Sequence, residues 1–168
     1  METINIRRSV RTFKENPVEK EKLEKLVRAA MQAPSAGNQQ PWEFVIVTER
    51  EILDNLAAMS PYAGALKKAP AAIVVLGNKD FLRFPENMDQ DLGAATQNIL
   101  LEAVELDLGA VWLGVHPLQD RIAHVSTALD LPENAIPYCA IPVGYPLKED
   151  ANKFVDRFDQ NRIHQNKY

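Results

Sequence analysis

Arg7-Arg8-Ser9-Val10-Arg11-Thr12-Phe13 places three arginines and a serine within five residues near the N-terminus. Guanidinium groups stay charged at any working pH, and their planar forks make paired hydrogen bonds to phosphate oxygens. The segment is either a solvated basic end or a cradle for an anion such as phosphate. A second segment, Pro34-Ser35-Ala36-Gly37-Asn38-Gln39-Gln40-Pro41-Trp42, has no charge but carries a hydroxyl, amides and a glycine between two prolines. It is either a plain connector or a rigid display of neutral hydrogen-bonding groups suited to a flat, heteroatom-rich ring. An anion cradle combined with such a display implies a mononucleotide-like cofactor.

Other chemistries lack their signatures. There is no Gly-x-Gly-x-x-Gly and no Gly-Lys-Ser/Thr phosphate loop. No Gly-x-Ser-x-Gly elbow announces a serine nucleophile. His116, His124 and His164 are scattered, and none is assigned to a metal. Cys139 is the single cysteine, which excludes an intrachain disulfide and a cysteine-built zinc site.

The frame that must hold these groups is one domain, residues 1–168, with 46% apolar and 25% charged residues. Net charge is −4, so the arginines are local positive charge on a mildly acidic body. That pattern suits a specific anion site and argues against a nucleic-acid partner. No apolar run approaches the roughly 20 residues that span a bilayer, and no apolar signal core precedes the arginines, so the expectation is a cytoplasmic protein without a membrane partner.

Asn16-Pro17-Val18-Glu19 reads as a helix start, followed by Leu23, Leu26, Val27, Ala30 and Met31 at helical spacing. Trp42 to Val47 reads as a strand, and Thr48-Glu49-Arg50-Glu51 as a capping box before Ile52, Leu53 and Leu56. A short helix is expected over Tyr62 to Lys68, a buried strand over Ala71 to Leu76, and a loop or lid over 78–88. The longest helix is expected from Asp89 to Leu108, apolar nearly all round and so buried on several sides, with Gly109 as its cap. Ala110 to Val115 reads as a strand, Asp120 to Leu129 as an amphipathic helix and Tyr138 to Val143 as a last core strand. The polar tail, 147–168, carries spaced Phe154, Val155, Phe158, Ile163 and Tyr168, which favours docking on another surface such as a partner subunit. Helices interleaved with apolar strands predict a three-layer α+β or mixed α/β domain.

Four segments in order resemble the FMN-dependent nitroreductase superfamily. They are Arg-Arg-Ser-x-Arg-x-Phe, Pro-Ser-Ala-Gly-Asn-x-Gln-Pro-Trp, Asp91-Leu92-Gly93-Ala94-Ala95-x-Gln97-Asn98 leading to Leu108-Gly109-Ala110-Val111-Trp112-Leu113-Gly114, and Ala140-Ile141-Pro142-Val143-Gly144-Tyr145-Pro146. The resemblance implies an α+β three-layer fold, a central mixed or antiparallel sheet flanked by helices, in an intertwined homodimer whose tails wrap onto the partner. It implies FMN as cofactor, NAD(P)H as electron donor, and a small acceptor such as a nitroaromatic or quinone reduced by a ping-pong mechanism. Arg7, Arg8, Ser9 and Arg11 match cofactor-binding positions, the first two near ribityl and phosphate and Arg11 toward the pyrimidine edge. Pro34, Ser35, Ala36 and Asn38 match the loop that the other subunit lays along the ring. Leu113 and Gly114 match the segment whose backbone approaches the ring. Arg157, with Arg162 as a weaker rival, matches a further phosphate-binding cation. No catalytic side chain is implied, since the flavin carries the chemistry. A different FMN enzyme on the same scaffold (dehalogenase, flavin-fragmenting or azoline dehydrogenase type) and a non-catalytic FMN-binding module remain alternatives.

Overall fold

The computed structural model describes residues 2–168. Its elements are α1 (Glu2–Ile6), α2 (Lys20–Ala30), β1 (Trp42–Val47), α3 (Arg50–Ala57), β2 (Ala71–Asn78), α4 (Met88–Glu105), β3 (Gly109–Ala110), β4 (Leu113–Gly114), α5 (Gln119–Ala128) and β5 (Ala135–Gly144). The sheet runs β1-β2-β5-β3, with β4 also on β5, and every pairing among these strands is antiparallel. Among the described residues the one parallel contact is an isolated bridge from Ser9 to Ala110.

Helices cover both faces of the sheet, which explains why β2 is apolar without alternation. Ala71, Ile73 and Val75 pack with Leu23 and Leu26 of α2 and Leu92 and Ile99 of α4. Ala72, Val74 and Leu76 pack on the other face with Leu53 and Leu56 of α3 and Val125 of α5. A continuous apolar run is the usual mark of a parallel strand; here an antiparallel strand shows it because neither face meets water. Each fully buried leucine or isoleucine of these layers contributes on the order of 1.5–3 kcal/mol.

Several expectations shift in detail. The first long helix starts at Lys20, after Asn16-Pro17, with Glu19 at the cap position. The capping box at Thr48 does not form: Glu49 occupies the cap position of α3 without a side-chain bond. The segment 62–68 forms only a 3-10 turn, Gly64–Lys67. The segment 110–115 splits into β3 and β4, both on β5. Gly109 is not the cap of α4. Asp107 takes the left-handed conformation (φ 61), and the two closing bonds run from Leu108 N to Ala103 O (2.7 Å) and from Asp107 N to Val104 O (3.1 Å), a Schellman stop. Glycine is needed at 109 for another reason: a Cβ there would lie 2.7 Å from Val10. That close approach seats the arginine segment on β3.

Most of the apolar girdle of α4 is satisfied within one chain, where Leu92, Ala95, Ile99, Leu100, Ala103 and Val104 are all buried. The tail beyond Asn152 is exposed throughout, its Phe154, Phe158 and Ile163 included.

Candidate functional site

The arginine segment is held at the C-terminal end of α4. Ser9 bridges Ala110, and Val10 N donates to Ala110 O at 3.0 Å. Asn152 then ties the start of the tail to the same place. Its Oδ1 accepts from Arg8 N at 3.2 Å, and its Nδ2 donates to Leu108 O at 3.2 Å. Arg157 is thereby carried back to the arginines. Burial lowers the pKa of Arg7, and the nearby charges of Arg8 and Arg157 lower it further. Arg157 comes near enough to Arg7 for their charges to interact, 150 positions apart in sequence, and like charges repel one another unless an anion sits among them. Arg162 behaves differently: it is spent on Asp159, at 3.1 Å. No ion pair to Arg7, Arg8 or Arg157 occurs among the described residues. The side chain of Arg8 also reaches back to Ile6 O (3.4 Å) and Asn5 O, stopping α1.

Next along the sheet is a cavity of ≈ 420 Å³, whose lining includes Arg11, Tyr62, Trp112, Leu113, Gly114 and Arg121. Three of the sequence candidates, Arg11, Leu113 and Gly114, thus meet at one surface. A Cβ on Gly114 would touch nothing within 4 Å, so this backbone is open to a ligand. Gly114 pairs with Cys139 of β5. Burial pushes the Cys139 thiol up to about 12, which makes it a poor nucleophile. Burial likewise pushes Tyr138 up to about 12, with Cys139 and Asp89 adding to it. Tyr138 therefore stays protonated; its hydroxyl donates to Asp89 O at 3.1 Å, and its ring packs on Trp112 at 5.7 Å. Among the described residues, no carboxylate, cysteine or histidine lines the cavity.

The loop 34–41 sits elsewhere. Gly37, Asn38 and Gln40 have φ of 51, 55 and 46, so the chain coils tightly through the left-handed region. Ser35 Oγ accepts from Gln40 N at 3.0 Å. Asp91, buried in the first turn of α4, accepts from Ala36 N (2.9 Å) and Gln39 Nε2 (2.6 Å). Gln39 Oε1 accepts from Arg83 N and Phe84 N, both at 2.9 Å. Pro34, Gly37 and Asn38 are exposed, and Ser35 and Ala36 half-exposed. The loop is therefore pinned at the N-terminal end of α4, and the arginines beyond its C-terminal end. An 18-residue helix separates them, about 27 Å long. The loop and the cavity wall lie on different sides of it. Asp91 faces the loop, whereas a Cβ on Gly93 would meet Trp112 and Tyr138. Two residues of helix turn through about 200°.

Sequence reading missed Arg121, Tyr62 and Trp112 at the cavity, Asn152 at the tail, and the Gln39–Asp91 clamp. Only Arg121 left a signal. It stands in the first turn of α5, where the helix dipole disfavours a cation, and it donates instead to Gly114 O at 2.8 Å.

The profile of the nitroreductase family matches residues 4–61 and 57–145. A protein of Methanothermobacter thermautotrophicus, provisionally named an NADH dehydrogenase/NAD(P)H nitroreductase, is 40% identical over 168 residues, covering 100% of this chain and 87% of its own. A crystal structure from Clostridium acetobutylicum, provisionally named an NADH oxidase, superposes with TM-score 0.96 at 54% identity, over 99% of each chain. An FMN-dependent nitroreductase from Clostridium difficile R20291 superposes with TM-score 0.90 at 31% identity, covering 99% of this chain and 98% of that one.

Proposed function

This chain belongs to the nitroreductase family, and on that premise we propose that it is an FMN-dependent oxidoreductase. It takes hydride from NAD(P)H and reduces a nitroaromatic, quinone or similar small acceptor. The observation that carries this reading is the Asn152 tie, which fastens the start of the tail to Arg8 and Leu108 and leaves Arg157 near Arg7. A phosphate placed there relieves the repulsion and accepts charge-assisted hydrogen bonds. The residues present fit the cofactor: cations for its phosphate at one end, and an open backbone at Leu113–Gly114 in a cavity without carboxylates at the other.

When bound, FMN supplies the redox chemistry. The chain binds and orients it. Arg7, Arg8 and Arg157 hold the phosphate, and Ser9 lies beside them. Arg11 supplies fixed positive charge where added electrons make the ring more negative. Leu113 and Gly114 offer backbone to the ring. One cavity serves donor and acceptor in turn, which gives ping-pong kinetics. Pro34, Ser35, Ala36 and Asn38 stand on the side of α4 turned away from Trp112, so in one chain they do not face the same ring. They complete the site of a second copy, so the working form is a homodimer, with the exposed aromatics of the tail seated on the partner.

Purified protein is expected to be yellow or to become so on addition of FMN, and NADH or NADPH should bleach it anaerobically. Protein that takes up no FMN overturns the reading. Flavin that is bound but never reduced leaves only a binding module.

A further inference from the structure

The cavity beside β4 combines aromatic walls with uncompensated positive charge. Trp112 is 36% exposed and Tyr62 81% exposed, and both line it. Arg121 and Arg11 lie on the same surface, and no aspartate or glutamate does. Neither arginine has an ion pair among the described residues. The bond from Arg121 Nη1 to Gly114 O holds its guanidinium at the rim beside the exposed backbone. One of its five N–H donors is spent there, and the rest are available. The cation does nothing for α5, whose dipole it opposes.

We infer that Arg121 is a specificity-determining residue, and that it selects acceptors whose aromatic ring carries a carboxylate at a distance from the group being reduced. The ring lies against Trp112 and Tyr62, and the carboxylate accepts from Arg121. This rests on the oxidoreductase reading above, because it assigns the cavity to that enzyme's acceptor.

The test is calorimetric titration of FMN-loaded protein with benzoate and with benzamide, a neutral analogue of nearly the same shape. FMN loading is checked first by absorption. Benzoate should bind about tenfold more tightly, the low end for a hydrogen bond to a charged group. Arg121→Gln should bring the two ligands within about twofold of each other, and Arg121→Lys should restore part of the preference. In turnover, the ratio of kcat/KM for 4-nitrobenzoate over 4-nitrobenzamide should fall about tenfold in R121Q. Equal affinity of the wild-type protein for benzoate and benzamide overturns the inference. So does a proportional loss of both ligands in R121Q. A rise in KM for NADH with the benzoate preference intact also overturns it, and assigns the cation to the donor. A protein that binds no flavin refutes the oxidoreductase reading itself. A flavin-loaded protein without charge preference refutes only the role of Arg121.

Discussion

The arginine segment leaves its charge uncompensated by the chain, whereas the Pro34–Trp42 loop turns much of its polarity inward. Gln39 looks, in sequence, like one more amide available to a ring. In the fold it is buried and bonded at both ends, to Asp91, Arg83 and Phe84. Arg7, Arg8 and Arg157 have no carboxylate partner. Polar residues that a chain satisfies internally are structural; like charges that it brings near one another without a counter-charge await a ligand. The two regions should therefore fail differently when altered, one in stability and the other in affinity.

The largest effect is expected at Gln39. Gln39→Leu strands the N–H groups of Arg83 and Phe84 and leaves Asp91 short of a donor. About 3 kcal/mol of stability should be lost, read as a lower midpoint in urea. If the midpoint holds and only FMN affinity falls, the clamp is not structural and the contrast collapses. Arg8→Ala should do the reverse. FMN affinity should weaken about 100-fold, near the upper end for one charge-assisted contact, with a change in midpoint of about 1 kcal/mol or less from the looser end of α1. Unchanged FMN affinity would refute the cradle. The smallest effect separates the tail arginines. Arg157→Ala should weaken FMN about tenfold. Arg162→Ala, which only releases Asp159, should change it less than about twofold.

Residue types alone point to the arginine segment and the neutral Pro34–Trp42 loop, because charge and polarity are local properties; Leu113, Gly114 and Arg157 come only from the family resemblance. Trp42–Val47 is a strand as its pattern indicates, and the run Ala71–Leu76 is indeed buried. What failed to show were properties fixed by tertiary partners. Asp107 rather than Gly109 turns left-handed at the end of α4, and glycine stands at 109 because Val10 leaves no room for a side chain there. Ala110–Val115 breaks into two pieces. The inward turn of Gln39 depends on the backbone of residues 83 and 84, more than 40 positions away. Arg121 reaches the cavity only because the fold brings α5 back beside Gly114. The reach of Arg157 toward Arg7 likewise depends on Asn152.

Asn152 also sets how the last cation is delivered. The backbone preceding it is fixed at Leu147, whose N–H donates to Thr12 O. With Asn152 anchored, Arg157 lies five positions beyond the anchor; without it, Arg157 lies ten positions beyond Leu147. Doubling a flexible tether costs about 0.6 kcal/mol of closure entropy. The asparagine thus acts as a knot that shortens the leash, raising the effective concentration of the Arg157 guanidinium at the proposed phosphate site about threefold. It does so without touching the phosphate itself. In this account the anion site is partly an arithmetic of chain length.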